Sequence, residues 1–209
     1  MSDWKHALTI VCERYAQSKS RIEWILVGSV GSVLQGCNMT PGDLDIYTRH
    51  REGIKEFAEL LQPYALETKS VEPHGDRWLS SAVEPTFTQT FDSGFSWTKG
   101  RWNIDGFQVE AVHISNSAGI PDSLQGDGIW EGGQFIWSLY KNVNAGPCTV
   151  AVVPLEIQLE SNLRRKRTDR IHSIMEALGQ SGYSQELIEK ALSKDHLQWF
   201  YSEIDGFKQ

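Results

Sequence analysis

Two aspartates one residue apart, Asp43 and Asp45, stand out in the short run Asp43-Leu44-Asp45-Ile46-Tyr47. In an extended strand, alternate side chains share a face. Leu44 and Ile46 then point together toward a core, and the two carboxylates point away from it, about 6–7 Å apart at a rise of ~3.3 Å per residue. Two ionised carboxylates at that spacing repel by roughly 2.5 kcal/mol at an effective dielectric near 20. A positive partner is expected between them, and a divalent cation with oxygen ligands is the simplest candidate.

The elements that must position this pair lie just upstream. Trp24-Ile25-Leu26-Val27 is a short apolar run that ends abruptly at Gly28-Ser29. Val30, Val33 and Leu34 then fall at helical spacing, and Gly36 with Pro41-Gly42 closes the segment before the aspartates. This predicts strand, tight turn, short helix and second strand. A helix start with free backbone N–H groups suits phosphate.

This order resembles the signature of the polymerase-beta-like nucleotidyltransferase superfamily: a hydrophobic strand, Gly-Ser, a helix, then Asp-hydrophobic-Asp-hydrophobic. Thirteen residues separate Gly28-Ser29 from Asp43. The architecture is most similar to the small antibiotic and aminoglycoside nucleotidyltransferases. The resemblance implies transfer of a nucleoside monophosphate from a nucleoside triphosphate, with ATP the expected one, to an acceptor hydroxyl, releasing pyrophosphate. It implies two magnesium ions on Asp43, Asp45 and a third acid from a later strand. It also implies phosphate contacts from Gly28 and Ser29. A Walker-type loop is a poor competitor, since no Gly-Lys-Ser/Thr follows the glycines.

Glu110 matches the third acid by type and context, an acid within Phe107-Gln108-Val109-Glu110-Ala111-Val112. Asp105-Gly106 is a two-residue hairpin signal. It places Ile104 opposite Phe107 and therefore Arg101 opposite Glu110. Glu110 is accordingly either a metal ligand or half of a cross-strand ion pair. Both hold if Arg101 also faces incoming phosphates.

The rest of the chain reads as an α+β protein. Helices are expected at 3–19 and 51–61, and strands at 82–91, 95–104, 107–114, 134–143 and 149–153, the last two around the turn Asn144 to Pro147. The glycine-rich stretch 115–133 reads as a connection. Residues 62–82 are irregular, and His74, Asp76 and Arg77 there are either a pocket rim or a plain surface loop. From Pro154 the chain is helical, with runs at 155–165, 169–178, 184–192 and 195–204 broken by Gly179 and Gly182. A catalytic unit at 1–153 and a C-terminal helical appendage at 154–209 follow. Along the first appended helix, Glu156, Glu160, Arg164 and Arg167 share a face, with Lys166 and Arg170 nearby. They are either solvated i,i+4 pairs or, for Arg164 and Arg167, clamps on the triphosphate.

Composition narrows the partners. The 209 residues carry 27 acids against 20 bases, a net charge of −7. A nucleic-acid acceptor, which needs a basic track, is therefore not expected. A small-molecule acceptor comes first and a protein hydroxyl second. Eight tryptophans include some in polar contexts, Trp78, Trp97 and Trp102 among them, where a ring could stack on a ligand. Cys12, Cys37 and Cys148 are scattered and odd in number, which points to a reducing, cytoplasmic setting. No signal-peptide core or membrane-length apolar run is present. Oligomeric state is not legible. Two further classes stay open, a nucleotide-binding regulator without turnover and an antitoxin-like interaction protein of the same fold.

Overall fold

A computed structural model describes residues 3–70, 77–146 and 148–208. His74, Asp76 and Pro147 lie outside the described residues; Arg77 is exposed. The fold is α+β, built on a seven-stranded mixed sheet with helices on both faces. Its strands are β1 (Trp24–Val27), β2 (Asp43–Thr48), β3 (Phe87–Thr90), β4 (Ser96–Ile104), β5 (Phe107–Ile114), β6 (Lys141–Ala145) and β7 (Cys148–Val152). The spatial order is β3-β4-β5-β2-β1-β7-β6. β2 is central, antiparallel to β1 and parallel to β5.

The two faces of β2 divide the protein. Leu44 and Ile46 pack with Leu26, Trp102, Val109 and Ala111 against helices α1 (Trp4–Gln17) and α3 (Glu52–Leu60), which contribute Leu8, Val11, Ile54 and Phe57. Asp43, Asp45 and Tyr47 face the other way, as the alternation predicts. Between β1 and β2 runs the single short helix α2 (Gly28–Val33). Helix α1 is also tied to β7 by a disulfide between Cys12 and Cys148, leaving the buried Cys37 as the free cysteine. That pairing spans 136 residues. No local spacing signals it, and it runs against the reducing setting inferred from the cysteine count.

Two elements differ from the pattern reading. The strand expected over 82–91 shrinks to β3, and that over 134–143 is a short helix α4 (Ile136–Leu139) followed by β6. In short apolar runs the two periods are hard to tell apart. Gly179 does not break a helix: it lies inside α6 (Thr168–Ser181), where an added Cβ would stand 2.5 Å from the Phe207 carbonyl oxygen. Its missing side chain admits the C-terminal turn. Gly182, at φ +81°, does end the helix.

The C-terminal helices hang on α5 (Leu155–Arg164), whose residues 155–162 are all buried. Ile157 packs on Ile25 and Val27 of β1, while Leu155 and Leu159 meet Ile174, Met175, Ile188 and Phe200. Glu156 and Glu160 are fully buried rather than solvated. Glu156 accepts from Lys141 Nζ at 3.0 Å and from the backbone N–H of Ser184 at 3.1 Å. Glu160 accepts from Arg164 Nε at 2.7 Å and the backbone N–H of Ser193 at 3.0 Å, with His196 Nδ1 at 2.8 Å. Ser184 and Ser193 are the N-caps of α7 (Gln185–Ala191) and α8 (Lys194–Glu203). Each carboxylate therefore sits at the positive end of one helix dipole.

Removing one partner of a buried ion pair leaves the other charge uncompensated, at a cost of about 3–5 kcal/mol. Glu160→Ala is expected to lower the denaturation free energy by that order in a urea titration. A loss under about 1 kcal/mol, the range of solvent-exposed pairs, would show that the network is not a structural anchor.

Candidate functional site

Gly28 follows β1 directly and sits at φ +64°, a conformation that favours glycine. A Cβ there would lie 2.7 Å from Asp45 Oδ2. Glycine is thus required twice, for the turn and for the close approach of the carboxylate. The register that brings them together pairs Val27 with Asp45. α2 opens with no side-chain cap, and among the described residues the buried Ser29 Oγ has no hydrogen-bond partner. Both leave polar groups at this turn that could bond to a ligand.

Across the parallel ladder Asp45 pairs with Glu110, and Glu110 pairs in turn with Arg101 of β4. The hairpin register is the one Asp105-Gly106 predicts, with Ile104 opposite Phe107. The Glu110 carboxylate accepts from Arg101 Nε and lies against Nη2, and Lys99 Nζ stands 3.9 Å away. All three side chains are buried. Of the two roles open to Glu110, the ion pair is therefore present.

An acidic cavity of about 400 Å³ opens on this face. Gly28, Asp45, Glu110 and Glu131 line it, together with Arg165, Arg170 and the rings of Phe91, Phe95, Trp97 and Trp130. Glu131 is the residue that pattern reading passes over. It belongs to the glycine-rich connection, yet is 4% exposed and bonded to Arg165 Nη1 at 2.9 Å. Arg164 puts it there. Its Nη1 donates to the Pro121 carbonyl at 2.6 Å and its Nη2 to that of Asp127 at 2.7 Å, pinning the connection to α5. The Glu131 N–H donates to Ser161 Oγ at 3.0 Å. The only sequence signal is an acid beside a tryptophan in a stretch otherwise rich in glycine.

The arginines are thus redistributed. Arg164 is committed to Glu160 and to the connection, outside the cavity wall. Arg167 is half-exposed, 4.0 Å from Asp169. Arg165 and Arg170, and not the expected Arg164 and Arg167, line the cavity.

The electrostatics of the site are those of crowded acids. Burial, reinforced by the charges of Asp43, Glu110 and Glu131, pushes the Asp45 carboxyl up to about 8, with Arg170 opposing. Burial raises Glu131 as well, against Arg165 and Arg170. It also raises the phenol of Tyr47, where Glu131 and Asp45 add to the shift. Arg165 and Arg170 only partly offset this cluster, and the Asp43–Asp45 pair would fit a further cation. Among the described residues no three His, Cys, Asp or Glu side chains gather closely enough to ligate an ion alone. Magnesium is commonly held by one or two carboxylates and completed by substrate phosphates and water, which suits this pair.

No protein-family profile matches the chain. No curated protein matches it either. Among solved structures it is similar to a Thermotoga maritima protein provisionally assigned as a nucleotidyltransferase, at 18% identity and a TM-score of 0.49, covering 85% of this chain and 95% of that one.

The raised Asp45 carboxyl has a stability signature. A folded-state pKa above the unfolded value contributes stability that is complete below pH ~4 and is lost as pH rises toward 8. Asn at this position carries no charge to bury. In metal-free buffer the melting temperature of Asp45→Asn minus that of the wild type is expected to widen from pH 4 to pH 8, reaching at least about 5 °C, then level off. An equal gap at pH 5 and pH 8 would show that Asp45 is ionised throughout.

Proposed function

We propose that the protein is a magnesium-dependent nucleotidyltransferase. The observation that carries this reading is the Asp45 carboxylate held against Gly28 of the strand–turn–helix, in a wall shared with Glu110, Glu131, Arg165 and Arg170. Asp43 and Asp45 would hold one magnesium ion together with phosphate oxygens. When bound, the ion offsets charge on the nucleotide's phosphates and polarises the reacting centre. The uncapped start of α2 and the orphaned Ser29 Oγ would hydrogen-bond the phosphate oxygens. Arg165 and Arg170, rather than Arg164 and Arg167, would balance the triphosphate charge.

The remaining residues divide the work. Phe91 and Phe95, with ring centroids 5.3 Å apart at the tip of the β3–β4 hairpin, and Trp97 next to them offer aromatic faces for a nucleobase. Glu131, held by Arg165, would accept the proton of the attacking hydroxyl. Glu110 would act through Arg101, helping to orient its guanidinium beside the acids. ATP is the proposed donor, and a small molecule the proposed acceptor.

One observation favours a second reading, a nucleotide-binding protein without turnover. Glu110, the position of a third metal ligand, is already engaged by Arg101 and Lys99. Pyrophosphate release separates the two readings.

With magnesium and ATP, the wild type is expected to release pyrophosphate when offered an acceptor, and Asp43→Asn or Asp45→Asn to cut that rate by about 100-fold or more. Nucleotide binding without pyrophosphate release, across a broad acceptor panel, would favour the non-catalytic reading. Glu110→Gln is expected to melt earlier, since it removes the buried charge that Arg101 and Lys99 face, while keeping turnover per folded molecule within several-fold. Turnover lost with the melting temperature unchanged would return Glu110 to the metal.

A further inference from the structure

Next to the acidic cavity, on the same face of the sheet, lies a second cavity of about 680 Å³. Tyr47 and Ile114 line both. Tyr47 is two residues beyond Asp45 on β2, about 6–7 Å along the strand. The wall of the connection is likewise continuous, with Glu131 in the first cavity and Gly132 and Gly133 in the second. A molecule in the second cavity therefore sits within reach of the acids of the first.

We propose, building on the nucleotidyl-transfer reading, that this second cavity binds a neutral polyhydroxyl acceptor, a sugar or cyclitol, and presents one of its hydroxyls to the nucleotide. Charge decides the class. Asp122 is the acid among the described residues of the wall, and its oxygens accept from the backbone N–H groups of Trp130, at 3.1 Å, and Gln134, at 2.8 Å. Among those residues a polyamine would find no uncommitted carboxylate. Arg49 is held by Glu23 at 2.8 Å, with His50 3.7 Å from the same carboxylate, so an anion is not favoured either.

What the cavity offers instead is neutral and two-sided. Gln134 brings an amide that both donates and accepts, as sugar hydroxyls do, and Asn116, whose Oδ1 already accepts from the Ala118 N–H at 2.8 Å, adds an N–H donor. His113 Nδ1 donates to the Thr48 carbonyl at 3.2 Å, which leaves Nε2 for the ligand. Tyr47 and Trp137 add flat rings with a polar edge, suited to the C–H face of a pyranose or cyclohexane ring. In the transfer step the acceptor hydroxyl oxygen forms a bond to the α-phosphorus. The bond from that phosphorus to the α,β-bridging oxygen breaks, pyrophosphate leaves with the electron pair, and the hydroxyl proton passes to Glu131.

The test uses the full chain with magnesium and ATP. Hexoses and inositols are compared with spermidine, an amino sugar and short single-stranded oligonucleotides, scored by pyrophosphate release. At least one neutral polyol is expected to raise the rate ten-fold or more, and the amines and oligonucleotides are not. Gln134→Trp, which narrows the cavity, is expected to raise the KM for that polyol at least ten-fold while the Kd for magnesium–ATP stays within two-fold. Gln134→Ala, a milder change, guards against misfolding and should raise KM in the same direction. Stimulation by the amines or oligonucleotides alone, or a polyol KM indifferent to both variants, overturns the proposal. Saturation-transfer NMR of the polyols without nucleotide separates the two layers. Polyol binding that Gln134→Trp weakens, in a protein that does not bind magnesium–ATP, sinks the transfer reading and leaves the cavity assignment standing. No polyol binding in a protein that does release pyrophosphate sinks the cavity assignment alone.

Discussion

The structure turns on four carboxylates gathered on one face of the central strands. Burial, reinforced by the charges of Asp43, Glu110 and Glu131, holds Asp45 toward its neutral form. Left alone, such a cluster would oppose folding, because each buried charge must be neutralised or paired. The chain answers with a separate device for each. Glu110 is given Arg101 and, at longer range, Lys99. Glu131 is given Arg165. Among the described residues Asp43 and Asp45 receive no comparable guanidinium, only the more distant opposition of Arg170 at Asp45. The site is thus not uniformly acidic: two acids are compensated by ion pairs, and under the proposed nucleotidyl transfer the other two would face a cation brought with the nucleotide.

The second layer of the design lies in α5, where burial inverts the ordinary meaning of a charged helix. Glu156 and Glu160, one turn apart, each accept the N-cap amide of a later helix. The same helix sends Arg164 to two carbonyls of the glycine-rich connection. Gly128 permits this approach, since a Cβ at that position would lie 2.6 Å from Glu160 Oε1. Through these contacts α5 fixes the C-terminal helices and the loop bearing Glu131 at once. A helix that reads as an appendage therefore governs the far wall of the cavity, although it carries none of the aspartates.

The parts of the site legible in the sequence are those set by short-range rules. Strand alternation places Asp43 and Asp45 away from the core, and a two-residue turn puts Arg101 opposite Glu110, because both depend only on period and register. Glu131 was not legible: glycine-rich connections carry no periodicity, and its burial depends on Arg164 and Ser161 from a distant helix. The Cys12–Cys148 link was hidden for the same reason, its partners being 136 residues apart. The fates of Glu156 and Glu160 were misread because an i,i+4 acid pattern looks the same whether water or the start of another helix lies beyond it.

The basic run Arg164-Arg165-Lys166-Arg167 shows most directly how little separates a structural charge from a functional one. Consecutive residues on a helix diverge by about 100°, so neighbours in sequence serve different surroundings. Arg164, the last residue of α5, turns to Glu160 and the connection; Arg165, the C-cap, reaches Glu131. Lys166 then adopts φ +54° and reverses the chain, so Arg167 starts a new helix facing outward, and Arg170, one turn on, comes back to the cavity. Charge density identifies the segment that serves the acids. The helix phase and the left-handed residue at the junction decide that Arg165 of this run, together with Arg170 beyond it, lines the cavity.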